Sequence, residues 1–193
     1  MIRIATEADV PAILDIYAPY VRDTTVTFEY AVPTLEEFTG RFRRITEDFP
    51  WLVWEEAGVL LGYAYAARPF DRAAYRWCAE PSIYLLPGAR GRGIGRKLYL
   101  ALEELLKLQG YQVLLALITG ENRASLAFHE RLGYGFAGEL KGCGYKFQRW
   151  LSVFWMEKRI QIVHNPMDFP MKWGVLGQDA QEICDILYNL SLS

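Results

Sequence analysis

Between residues 90 and 97 the chain reads Arg-Gly-Arg-Gly-Ile-Gly-Arg-Lys and runs straight into a helical pattern whose apolar face is Ile94, Leu98, Leu102 and Leu105. Trp77–Leu86 before it reads as a strand closed by Pro87-Gly88. Gly110 stops the helix, and Val113–Ile118 follows without a polar residue, the pattern of a strand covered on both faces. A strand, a glycine loop, a helix and a buried strand leave little choice. The order places this segment in a mixed sheet with helices against it.

The flanks extend this frame. Ile2–Ala5 reads as a short strand, Thr6-x-x-Asp9 as a helix start, and Val10, Ile13, Leu14 and Tyr17 as one apolar helix face. Thr34-x-x-Glu37 opens a second helix with Leu35, Phe38, Phe42 and Ile45 inward. Trp51–Glu55 and Val59–Ala67 around Ala57-Gly58 read as a hairpin, and Arg68–Arg76 as an irregular basic and aromatic loop. Asn122–Leu132 reads as a helix ended by Gly133, and Tyr145–Met156 supplies at least one more strand. The expected fold is α/β, a mixed sheet with helices on both faces. Residues 1–159 form the expected domain and 160–193 an extension, in which Ile183, Ile186, Leu187 and Leu190 predict a short amphipathic helix.

Composition excludes several classes. The chain has 193 residues, is 52% hydrophobic and carries a net charge of −2, which does not suit a disordered chain or a general nucleic-acid binder. Cys78, Cys143 and Cys184 are too scattered for a disulfide framework, and with His129 and His164 they give no metal-ligand spacing. Glu7 and Asp9 sit where a signal peptide needs apolar residues, and the apolar run Val59–Ala67 is too short to span a bilayer. These features lead us to expect a reduced, soluble, cytoplasmic protein without a metal.

Against that weakly acidic background, residues 90–97 carry four positive charges. Gly91, Gly93 and Gly95 free successive backbone N–H groups to converge on an anion at a helix N-terminus. The loop is therefore read as a phosphate site, against the alternative of a glycine-rich connection with solubilising arginines. No Gly-Lys-Ser/Thr closes it, and Arg96 stands where a dinucleotide fingerprint needs its third glycine, so both of those nucleotide motifs fail.

Arg90-x-x-Gly93-x-Gly95 at this junction resembles the acetyl-CoA pyrophosphate loop of the GCN5-related N-acetyltransferases. Asn122-x-x-Ser125-x-x-Phe128-His129-x-x-Leu132-Gly133-Tyr134 resembles the next motif of that superfamily. Within it, Thr25-x-x-Phe28, Tyr63-Ala64-Tyr65-Ala66, Arg72-x-Ala74-Tyr75, Ala79-Glu80-x-Ser82-Ile83-Tyr84-Leu85 and Gly144-Tyr145-Lys146 are similar to phosphinothricin and methionine sulfoximine N-acetyltransferases.

The resemblance implies acetyl transfer from acetyl-CoA to a small-molecule amine. It assigns the pantetheine arm to Ile83, Tyr84 and Leu85, with a backbone N–H near Leu85 polarising the thioester carbonyl. The diphosphate falls to Arg90, Gly91, Arg92, Gly93, Ile94, Gly95 and Arg96, with Asn122 and Ser125 as further cofactor contacts. Phe28, Arg72, Tyr75 and Lys146 become acceptor contacts, and a homodimer is expected because dimers are common among relatives. Glu80 is the candidate base, with ammonium binding or strand capping as its alternative; His129 is the candidate acid, with a helix histidine on a backbone carbonyl or Glu130 as its alternative. Two positions depart from the pattern. Pro81 follows the presumed base where relatives carry Ser or His, and Ser152 stands where they carry Asp. Acetylation of a polyamine or a protein N-terminus, and a non-catalytic acyl-CoA sensor, are the competing functions.

Overall fold

The computed structural model describes residues 1–162, 169–176, 181, 182 and 185. Strand β1 (Ile2–Ile4) leads through a 3-10 turn into helix α1 (Val10–Asp23), followed by α2 (Leu35–Thr46). The expected capping box opens α2: Glu37 N–H donates to Thr34 Oγ1, and the Glu37 carboxylate receives Thr34 N–H at 2.7 Å. Strands β2 (Trp51–Glu56) and β3 (Val59–Ala67) form the hairpin, turning through Ala57 and Gly58 at φ 49° and 79°. Positive φ at both central residues matches the twist of the flanking strands.

Strand β4 (Cys78–Leu85), helix α3 (Ile94–Gln109) and strand β5 (Val113–Thr119) make a crossover between parallel strands, and α4 (Arg123–Arg131) follows. The chain closes with β6 (Gly135–Lys146) and β7 (Arg149–Arg159). Tyr145–Met156, read as at least one strand, holds parts of two, divided by a two-residue turn at Phe147 and Gln148 with φ 51° and 60°. No glycine or asparagine announces that turn.

All seven strands form one sheet in the order β1-β2-β3-β4-β5-β7-β6, and only β4 and β5 run parallel. Two cores cover its faces. Helix α3 packs Leu98, Leu102, Leu105 and Leu106 on one face, while α1 and α2 enclose Ile13, Phe38, Trp51 and Tyr63 on the other. Residues beyond 159 join the first core: Trp173 is buried there, and the Gln109 amide donates to the carbonyls of Asp48 and Met171 at 2.9 and 2.8 Å. The helical pattern at Ile183, Ile186, Leu187 and Leu190 lies outside the described residues.

Gly62 marks the closest approach of β3 to β4. A Cβ there would lie 2.9 Å from Tyr84 O and 3.3 Å from Leu85 Cα, both backbone atoms that no rotamer change can move. Overpacking of this kind destabilises by about 1–3 kcal/mol. We expect Gly62→Ala to lower the denaturant midpoint by that free energy, and an unchanged midpoint would contradict the strand spacing.

Candidate active site

The site begins where two strands part. β4 and β5 pair only at Cys78–Val113 and Ala79–Leu114. Leu86 N–H donates to Leu61 O of β3 at 2.9 Å, so the alternating backbone turns the polar groups of Leu85, Ile83 and Pro81 the other way, toward the gap. Pro81 has no N–H to extend the ladder. Leu85 is already occupied: its N–H donates to the Tyr20 hydroxyl at 3.1 Å, and that hydroxyl donates to Leu85 O at 2.5 Å. Ile83 therefore carries the N–H on this edge that neither β5 nor Tyr20 takes. Of the backbone groups near Leu85, where the resemblance places the thioester donor, the Leu85 N–H is taken by Tyr20, and Tyr20 lines the cavity although its helix pattern gave no sign of that.

A cavity of about 720 Å³ opens beside this edge. The three glycines serve it differently. Gly91 and Gly93 have φ 75° and 78°, and Gly93 caps the N-terminus of α3. Gly95 lies inside the helix, where a Cβ would stand 3.2 Å from the Leu85 side chain. Arg90, Arg96 and Arg131 line the same cavity with Asn122 and Ser125, and the positive end of α3 adds to their field. This donor set fits a ligand carrying phosphates. Arg131 was not singled out by its position in the sequence. Arg92 does not join: its guanidinium bonds Glu56 at 2.7 Å. Ile94 is buried in the core, which leaves only its backbone to offer.

A smaller cavity of about 70 Å³ continues from the first, sharing Val26, Ile83, Asn122 and Ser125. Glu80, Tyr84 and His129 line it, so both candidate proton carriers meet at the mouth of the strand gap. Burial pushes the Glu80 carboxyl above the usual carboxylate range. Burial also pushes His129 below its ordinary value, only partly opposed by a bond to Ser125 O. His129 does pair with a backbone carbonyl: Nδ1 lies 2.8 Å from Ser125 O and Nε2 lies 2.9 Å from the Tyr99 hydroxyl.

The acceptor residues scatter more. Leu117 of β5 is 39% exposed beside Glu80, and its cross-strand neighbour is Trp155. Phe70 stacks on Trp155 with centroids 5.8 Å apart, and Tyr75 leans on Phe70 at 4.6 Å. Tyr75 thus belongs to an aromatic wall on this face, while Arg72 is exposed in the adjoining loop and lines neither cavity. Lys146 was expected to offer its charge to the acceptor. Its ammonium is instead buried on Val21 O and Thr27 O at 2.8 and 2.7 Å, holding the segment after α1. Burial lowers its pKa. Phe28, in that segment, presses on Gly144, where any Cβ would enter its ring. Neither residue lines the two cavities; both pack in or against the segment that carries Val26, which does.

Residues 2–155 match the family described as Acetyltransferase (GNAT) domain. The chain is 39% identical over 159 residues to phosphinothricin N-acetyltransferase of Alcaligenes faecalis, covering 81% of each protein. It is 38% identical over 160 residues to the L-methionine sulfoximine/L-methionine sulfone acetyltransferase of Pseudomonas aeruginosa, covering 81% of this chain and 92% of that one. Among solved structures, a GNAT superfamily phosphinothricin acetyltransferase from Sinorhizobium meliloti in complex with AcCoA superposes with a TM-score of 0.81. It is 35% identical, over 89% of this chain and 92% of that one.

Burial of neutral His129 links stability to pH. The unfolded chain binds the His129 proton near pH ~6.5 while the native ring does so only lower, so this contribution is complete above ~6.5 and is lost as pH falls through the native value. Glu80 contributes the opposite slope, present below ~4.3 and lost as pH rises through its raised value. His129→Gln should therefore flatten the fall of Tm below pH ~6.5 relative to wild type. Parallel Tm–pH curves would mean that the ring is not held neutral.

Proposed function

The chain belongs to the GNAT acetyltransferase family and is an acetyl-CoA-dependent N-acetyltransferase; from that premise we propose that its acceptor is the α-amine of a small amino-acid-like compound of the phosphinothricin or methionine sulfoximine type. The named relatives support this acceptor class. The observation that carries it is the strand gap, where the half-buried Glu80 carboxyl lines a small cavity that adjoins the one lined by the cationic glycine loop.

When bound, acetyl-CoA supplies the acetyl group as an activated thioester. Arg90, Arg96 and the N–H groups at Gly91–Gly95 hold its phosphates in this reading, and Asn122 lines the path between loop and gap. Ile83 N–H serves as the donor for charge developing on a carbonyl oxygen, a contact worth about 3–4 kcal/mol when preorganised. Glu80 takes the proton of the attacking amine. An α-amine has a pKa of ~7.7–8.0, so a carboxylate raised by burial is base enough; a lysine side chain at ~10.4 would ask far more of it. Leu117, Trp155, Phe70 and Tyr75 bound the acceptor on its apolar side.

Residues 1–159 constitute the catalytic domain and 160–193 an extension whose segment 169–176 packs against it. Cys78 and Cys143 are free, which supports a reduced, cytoplasmic setting, and among the described residues no helix is long and apolar enough to cross a membrane. The tip of the β6–β7 hairpin exposes Tyr145, Phe147 and Trp150, a patch suited to a second copy of the chain.

Glu80→Gln should lower kcat by about 10²–10⁴-fold with acetyl-CoA affinity nearly unchanged, and should abolish the acid limb of the rate profile. Turnover is read as free-thiol release across a panel of α-amino acids, polyamines and peptides. Near-normal turnover in the variant removes Glu80 as base. Release with polyamines or peptides alone overturns the acceptor class, and binding without release for any amine marks a sensor. For assembly, light scattering of the wild type is expected to give twice the chain mass and that of Trp150→Glu the single mass; a monomeric wild type contradicts the patch.

A further inference from the structure

Every polar atom of the His129 ring is committed inside the protein. Nδ1 lies 2.8 Å from the carbonyl of Ser125, one turn back in α4, and 3.3 Å from the Ser125 hydroxyl. A carbonyl can only accept, so Nδ1 carries the hydrogen of the neutral ring. Nε2 is then a lone pair, and the Tyr99 hydroxyl 2.9 Å away must donate to it. Tyr99 is fully buried, with the edges of Phe128 and Tyr134 around its ring. Behind it lie the buried Tyr134 hydroxyl and Glu103 Oε1. The other Glu103 oxygen meets Lys158 at 2.5 Å.

The direction of this chain matters at its front end. Tyr99 donates to His129, and His129 Nδ1–H points at the oxygens of Ser125. The Ser125 hydroxyl therefore has no need to donate backward, and Ser125 lines both cavities where they join. His129 has no nitrogen left to reach into either.

We propose that Ser125 presents the hydrogen-bond donor at the site of transfer, and that His129 and Tyr99 are positioning residues that keep it turned outward. The inference rests on the N-acetyltransferase reading above. The amine nitrogen bonds the acetyl carbon as the carbon–sulfur bond breaks, the amine proton goes to Glu80, and the sulfur leaves as a thiolate that takes its proton from water; the Ser125 hydroxyl only donates a hydrogen bond and keeps its own proton. What Ser125 stabilises is negative charge on the leaving sulfur, whose pull on an O–H donor appears only as the thioester breaks.

Substitutions at Ser125, Tyr99 and His129 and one spectrum test this. The chain has two histidines, so in the free enzyme carrying His164→Gln the ring nitrogens of His129 give one resolvable ¹⁵N pair. The expected spectrum is the tautomer with hydrogen on Nδ1. A hydrogen on Nε2 would make Ser125 a donor to His129 and overturn the proposal. Ser125→Ala should leave that spectrum in place and lower kcat about 10–100-fold, with the acetyl-CoA Kd within about twofold. Tyr99→Phe should shift the Nε2 resonance and lower kcat less than Ser125→Ala, because it acts at one remove. His129→Gln combined with Ser125→Ala should be no slower than Ser125→Ala alone. Full turnover in Ser125→Ala with loss in His129→Gln would return the direct role to His129 and defeat the proposal alone. Full turnover in both would remove the whole chain from catalysis, while Glu80→Gln still reports on the acetyltransferase reading.

Discussion

The structure turns on a pairing that stops. Parallel strands β4 and β5 share two residue pairs and then separate, and Pro81 just beyond has no N–H to offer the ladder. A sheet buried on both faces ordinarily cannot leave backbone groups unpaired, since each orphan costs about 1–3 kcal/mol. Here the open edge is partly covered by Tyr20 at Leu85 and otherwise faces a cavity. The unpaired groups at Ile83 are where a ligand with amide character gains most.

Much of this was legible in sequence because local chemistry dictated it. The Thr34–Glu37 box, the helix before Gly133, the hairpin at Ala57-Gly58 and the apolar run of β5 each encode a feature that their neighbours do not override. The glycine loop is a stronger case: Gly91 and Gly93 supply φ values that other residues resist, and Gly95 supplies clearance.

The rest was hidden because it depends on residues far apart in the chain. Arg92 and Arg90 read alike, yet one bonds Glu56 and the other turns over Tyr20. Lys146 reads as a free cation, but a buried ammonium needs acceptors, and the carbonyls of Val21 and Thr27 meet that need from 125 and 119 residues away. Phe147 and Gln148 adopt left-handed conformations that nothing in their chemistry announces. His129 carried both of its readings into the structure, where it lies on the cavity wall and also on a backbone carbonyl.

The segment around Trp173 fastens the opposite end of the strand gap. Gln109 ties Asp48 to Met171, Trp77 O receives the N–H groups of Gln112 and Val113, and Phe169 packs on Trp77. The two diverging strands therefore behave like tongs riveted near their base. Any breathing of the sheet is concentrated at the tips, where Ile83 and Thr119 stand, and a chain shortened before Trp173 would loosen the rivet without touching a single group that handles the reaction.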